Sequence, residues 1–156
     1  MAIRIFITFR HADASEMALR LHDSLSSLAY DCLTMSEERS TYPFGYPDDR
    51  AEAIAGCDAF VAVIGSRWLM RYDERGRPGL FHRDDFVRRD VATALARDVP
   101  ILVALVEAVA MPQPSQLPAE ILLLAYQRDV VLRSACFEAD VAKLVAELRR
   151  LAPAEP

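Results

Sequence analysis

The stretch DDFVRRDVATAL, residues 84–95, holds the carboxylate on which a functional reading of this chain turns. It reads as the start of a helix, with Asp84 or Asp85 as its N-cap and Asp90 on the flank of the apolar stripe. A carboxylate there is either a catalytic acid or one more charge on a solvated helix. Other reactive residue types are thinly spread. His11, His22 and His82 show no ligand spacing. Cys32, Cys57 and Cys136 are scattered and odd in number, so they fit neither a disulfide framework nor a metal site. Reduced thiols in a cytoplasmic protein are the simplest reading. The chain has no G-x-G-x-x-G, no G-x-x-x-x-G-K-[ST] and no G-x-S-x-G. His82-Arg83-Asp84 matches a kinase triplet only in passing, because Arg89 stands where the kinase Asn is expected.

The composition narrows the partners. The 156 residues are enough for one domain with a real core, and 53% hydrophobic with 26% charged residues is ordinary for a globular protein. A net charge of −5 argues against nucleic acid as a direct partner, since a phosphate-binding surface needs a basic excess. Arg88 and Arg89 read as part of a solvated helix face. No apolar run approaches the about 18 residues of a membrane span. The opening MAIRIFITF is too short and too alternating for a signal peptide.

The elements that must position Asp90 follow from periodicity. Ile3 to Thr8 reads as a strand, Ala14 to Leu28 as a helix capped by Asp13, and Asp31 to Met35 as a weak strand. SEERSTYPFGYPDD is broken by Pro43, Gly45 and Pro47 and reads as a loop. A helix from Asp48 to Gly56 leads into AFVAVIG, residues 59–65. That run and ILVALV, residues 101–106, are continuously apolar, as strands buried on both faces of a parallel sheet must be. Between them lie the Trp68 segment, a polar loop and the helix from Asp84 to Asp98. A short helix at Ala119 to Tyr126, a strand at Val130 to Leu132 and a helix at Phe137 to Leu151 complete the chain. Residues 1–151 are expected to form one domain, with 152–156 a tail or the start of a linker.

Strand and helix alternate, which predicts an α/β doubly wound sheet with helices on both faces. Ligands of such sheets bind beyond the carboxyl ends of the strands, where the strand order switches. In the common order 2-1-3-4-5 the switch lies between strands one and three. Thr8, Phe9, Arg10 and His11 would border it on one side, and Gly65, Ser66, Arg67 and Trp68 on the other. A receiver domain has this topology, but its acidic residues after strand one and its phosphoacceptor Asp after strand three are replaced here by Thr8-Phe9-Arg10 and Gly65-Ser66.

Several segments, in order and with consistent spacing, resemble the TIR (Toll/interleukin-1 receptor) domains of bacterial type. IFITFR is similar to their opening Ile-Phe-Ile-Ser-Tyr-Arg, and GSRWL to their Gly-x-x-Trp-Leu. DDFVRRDVATAL is similar to their Asp-Phe-Val-Arg-x-Glu-Ile-x-x-Ala-Leu. MPQPSQLPAEI resembles the proline segment that follows, and DVAKLVAELRR the last helix. The resemblance implies a flavodoxin-like three-layer sandwich, with a five-stranded parallel sheet of order 2-1-3-4-5. It implies self-association through TIR–TIR contacts, with Tyr42, Pro43, Phe44 and Gly45 in the assembly loop, and a sensor domain or protein outside this chain. It implies a role in bacterial immune or stress signalling, including antiphage defence. It also implies cleavage of NAD, as substrate, at the nicotinamide–ribose bond, by hydrolysis or cyclisation. No cofactor, metal or membrane is implied.

The same resemblance assigns the site. Position 90 matches the family's catalytic Glu and is Asp90 here; Phe9, Arg10 and Phe86 match positions at the substrate, where Phe9 also reads as plain core and Arg10 as a solvated charge. Ser66 and Trp68, at the switch point, are candidate substrate contacts that also read as a turn cap and as packing. Positions 86 and 90 are neighbours on one helix face, which pairs an aromatic plane with a carboxylate. Asp is shorter than Glu by one methylene, roughly 1.5 Å of reach. A misplacement of about 1 Å costs on the order of a hundredfold in rate. Three readings therefore stand: an NAD-consuming enzyme in which Asp90 works with adjusted geometry, a weak or inactive enzyme that acts by assembly as a non-enzymatic module, and a site that uses a different acid or ligand.

Overall fold

Apolar runs make the middle of the sheet, and their flanking elements follow from what those runs must bury. In a computed structural model, residues 3–34, 48–70 and 79–152 are described. The strands are β1 (Arg4–Phe9), β2 (Asp31–Thr34), β3 (Ala59–Ile64), β4 (Ile101–Val106) and β5 (Arg128–Leu132). The helices are α1 (His11–Ser27), α2 (Asp48–Ala55), α3 (Phe86–Ala96) and α4 (Phe137–Leu151). The strands form one parallel sheet in the order β2-β1-β3-β4-β5, the expected flavodoxin-like arrangement with its switch between β1 and β3.

Period-two alternation divides the core between the two faces. Ile5, Ile7, Phe9, Val61 and Val63 pack with Met17, Leu21 and Leu25 of α1 and with Val141, Leu144 and Leu148 of α4. Phe6, Phe60, Ala62 and Ile64 pack on the other face with Ile54 of α2, Val87 and Val91 of α3, and Trp68. Every residue of β3 is buried, as its unbroken apolar run requires. Among the described residues no helix is long and apolar enough to cross a membrane, and no cluster of His, Cys, Asp and Glu is placed to hold a metal ion. Tyr42, Pro43, Phe44 and Gly45 lie outside the described residues.

Some element boundaries differ from the sequence expectation, each for a physical reason. Helix α3 stops at Ala96 because Asp98 takes a left-handed φ of 55° and Val99 N–H closes back on Ala94 O at 3.0 Å. Residues 119–126 are the expected short helix, built of 3-10 turns with Ile121 at φ −118°. Helix α1 begins at His11 and kinks at Ala14 (φ −137°), and Asp13 does not cap it. The Asp13 carboxylate instead leaves the helix for the end of β3.

At the carboxyl end of β5, Arg133 donates to Asp140 of α4 from its backbone N–H at 2.9 Å, from Nε at 3.1 Å and from Nη2 at 2.9 Å. The side-chain hydrogen bond from Arg133 holds the Asp140 carboxyl well below the usual carboxylate range, at about 2. A carboxyl depressed in the folded state contributes stability above its unfolded pKa and loses it as pH falls through the folded one. The gap in urea stability between wild type and Asp140→Asn should be constant above about pH 5 and close progressively toward about pH 2. A gap that stays the same at pH 2.5 would contradict this.

Candidate functional site at the carboxyl edge of the sheet

Alternation on β1 turns Phe6 and Thr8 toward α2 and α3, where Thr8 meets Asp90 and Phe6 meets Arg50. The Asp90 side chain is wholly buried. It accepts a hydrogen bond from Thr8 Oγ1 at 2.7 Å, and its two oxygens accept from Arg50 Nε at 2.6 Å and Arg50 Nη2 at 2.5 Å. Arg50, on the first turn of α2, is itself 2% exposed. Its guanidinium carbon lies 5.7 Å from the centroid of the Phe6 ring and 5.5 Å from that of Phe86. Both distances are in the range of a cation–aromatic attraction. Phe6 is in turn backed by Phe60, parallel to it at 5.8 Å. Strand β1 and helices α2 and α3 thus converge on one planar cation, held against a carboxylate and two aromatic rings.

A second charge pair borders the first. Arg10 reaches Asp85 with both terminal nitrogens, each at 2.8 Å, and Asp85 also caps α3 by accepting from Arg88 N–H at 3.0 Å. This fork-to-fork geometry fixes the start of α3, and with it Phe86 and Asp90, to the end of β1. Across the switch point, the Asp13 carboxylate accepts from Gly65 N–H at 2.8 Å and Arg67 N–H at 2.7 Å. Burial pushes the Asp13 carboxyl above its ordinary value, although these two backbone donors and the charges of Arg10 and Arg67 pull the other way.

The residues expected at the site are placed unequally. Asp90, Phe86 and Arg10 come to the α2–α3 side of β1. Phe9 points to the other face and is 3% exposed among α1 and α4 residues. Trp68 is fully buried beside α3, and its indole N–H meets no acceptor among the described residues. Ser66 is exposed in the turn after β3. Sequence reading missed Arg50 altogether, and it gave Asp13 a local role in place of its long-range one. The polar Thr8 at the end of an apolar strand was visible as an edge residue, but not as a partner of Asp90.

A separate cavity of about 300 Å³ lies between α2 and the β1–β2 edge, lined by Arg4, Phe6, Asp31, Cys32, Glu52 and Cys57 among others. Burial raises the thiols of Cys32 and Cys57 to about 11, so neither is a nucleophile at neutral pH. Cys136 is exposed.

No family model matches the chain, and no curated protein matches it. Solved structures of similar shape include the CMP N-glycosidase BcmB of Clostridium botulinum, at 16% identity over 92% of this chain and 98% of that one, with a TM-score of 0.46. TIR domains stand among them too. A metazoan TIR-STING receptor from C. gigas is 15% identical, covering 97% of this chain and 40% of the receptor, with a TM-score of 0.48. The TIR domains of the activated Roq1 resistosome, which recognises the effector XopQ, are 11% identical over 97% of this chain and 81% of that one, with a TM-score of 0.48. At these identities no residue role passes from those proteins to this chain.

Two outcomes test the geometry. A Cβ at Gly65 would sit 2.5 Å from Asp13 Oδ1. Gly65→Ala should therefore cost about 1–3 kcal/mol in urea denaturation, and much less in an Asp13→Ala background, as a double-mutant cycle will show. At pH 8 a thiol reagent should label Cys136 first. A thiol near pKa 11 is only about one part in a thousand thiolate at that pH, so Cys32 and Cys57 should follow far more slowly.

Proposed function

We propose that this chain cleaves NAD at the nicotinamide–ribose bond when its TIR-type domains assemble, with Asp90 as the carboxylate that meets the ribosyl cation. The observation that carries this reading is the planar cation of Arg50, held against Asp90 and within reach of both the Phe6 and the Phe86 rings. A pyridinium leaving group and an oxocarbenium-like ribose need the same surroundings: an aromatic face for the first and a fixed negative charge for the second. The similarity of DDFVRRDVATAL to the catalytic helix of TIR enzymes supports the same position.

In the step itself the C1′–N1 bond breaks and its electron pair goes to the nicotinamide nitrogen, which becomes neutral. Asp90 stabilises the positive charge left at C1′. A water oxygen, or a nucleophile within the ADP-ribose, then bonds to C1′, and one proton is released to solvent. The Thr8 hydroxyl orients the carboxylate by its hydrogen bond. The Arg10–Asp85 pair holds the helix that carries it. Assembly through the loop containing Tyr42, Pro43, Phe44 and Gly45 completes the site in this reading, which places the protein in bacterial immune or stress signalling.

The full burial of Asp90 with Arg50 and Thr8 favours a second reading, in which the pair is structural and the domain only relays assembly. NAD turnover, followed by chromatography at high protein concentration with a crowding agent, separates the two. Wild type should turn over NAD, and Asp90→Ala should lose about a hundredfold or more. Activity in Asp90→Glu alone would mean that the site persists without the natural chain having the reach. Silence in all three proteins would decide for the assembly module.

A further inference from the structure

We infer that Arg50 is an internal stand-in for a cationic ligand: its guanidinium fills a cation site made by Phe6, Phe86 and Asp90, and a planar cation takes that place when α2 withdraws the side chain. The identity of the ligand as a pyridinium rests on the proposed function. The site itself rests on geometry alone.

A guanidinium and an N-alkylpyridinium share the features this site selects. Both are flat, carry a delocalised single positive charge, and are weakly hydrated, so both leave water for an aromatic face at modest cost. Arg50 exploits each of these features: two rings lie within 6 Å of its carbon, and two of its nitrogens bond to one carboxylate. Thr8 fixes that carboxylate from the strand and not from α2, so this part of the cradle stays in place when α2 moves. Helix α2 has only eight residues, and the space beside it, toward β1 and β2, is the cavity of about 300 Å³. On the β2 side that cavity is lined by Asp31, Cys32 and Leu33, none of them fully buried.

The consequence is regulatory. With Arg50 in place, the charge of Asp90 is neutralised and the aromatic faces are covered. A cationic ligand then binds only the fraction of molecules whose α2 has moved, and its apparent affinity falls by that fraction. Removing the guanidinium should remove that penalty. A purely structural ion pair predicts the opposite: loss of Arg50 would weaken the fold and create no new affinity.

The test measures binding of 1-methylnicotinamide, a pyridinium cation, by calorimetry to wild type, Arg50→Ala, Arg50→Met and Arg50→Ala/Asp90→Asn. Neutral nicotinamide is the control. Arg50→Met keeps a long apolar side chain against Phe6, so that a folded variant is available even if Arg50→Ala collapses. Folded Arg50 variants should bind the cation at least about tenfold more tightly than wild type. Ethylguanidinium should compete, neutral nicotinamide should not bind, and Asp90→Asn should abolish the gain. Folded variants that bind neither cation better than wild type would overturn the inference. If neither single variant folds alone, refolding rescued by ethylguanidinium but not by ethylammonium supports the site, and no rescue overturns it. NAD turnover by the same proteins keeps the two ideas apart. Cation binding without turnover leaves the site standing and removes the proposed function, whereas turnover by wild type without cation binding in the variants does the reverse.

Discussion

A carboxylate can be wholly buried in the middle of a protein only if its charge and lone pairs are met, and Asp90 is met by Arg50 and Thr8. Much of the site's arrangement follows from that requirement. Arg50 belongs to α2, Asp90 to α3 and Thr8 to β1, so one interaction ties three elements that are far apart in sequence. Removing either charge would break this buried ion pair, at a cost of about 3–5 kcal/mol. The ion pair therefore also fixes the order of events for any chemistry at Asp90. A ligand that engages this carboxylate must first replace the cation already there.

The same principle repeats around the switch point. Arg10 and Asp85 satisfy each other at the start of α3. Asp13 occupies the backbone N–H groups of Gly65 and Arg67, donors that in other sheets of this kind face a ligand's anionic groups. Gly65 is needed there because any Cβ would strike the Asp13 carboxylate. Among the described residues the carboxyl edge thus carries the protein's own charges: a cation in the aromatic and carboxylate cradle, an anion on the amides, and the fork-to-fork pair of Arg10 and Asp85.

What could be read from the sequence depended on whether the cause was local. The continuous apolar runs of β3 and β4 fixed central strands because only a two-sided burial tolerates them. The stripe of Val141, Leu144, Val145 and Leu148 marked α4 along its whole length. Asp85 was legible as a cap because its partner, Arg88 N–H, is three residues away. Arg50 was not legible: DDRAEAIA looks like any solvated helix, and the partner of Arg50 lies forty residues downstream. Asp13 misled for the same reason, since an acid near a helix start suggests a cap, whereas its real donors, the N–H groups of Gly65 and Arg67, follow β3. Phe9 was a different matter. Strand alternation separates it from Thr8, and it lies among α1 and α4 residues, in keeping with the core reading that the sequence held open beside the ligand one.

The length of the side chain at position 90 takes on a new meaning beside Arg50. An Asp leaves its carboxylate close to the α3 backbone, where Thr8 Oγ1 at 2.7 Å and both Arg50 nitrogens reach it at once. A Glu in the same closed pocket would carry its oxygens roughly 1.5 Å farther out. Keeping both partners would then require α2 to stand off from the sheet, or the extra methylene to be forced into a packed core at about 1–3 kcal/mol. A short acid at position 90 and a buried arginine at position 50 therefore go together. Asp at position 90 deepens the closed state, in which the protein's own cation sits in the cradle, and it sets a higher threshold for whatever event draws α2 away.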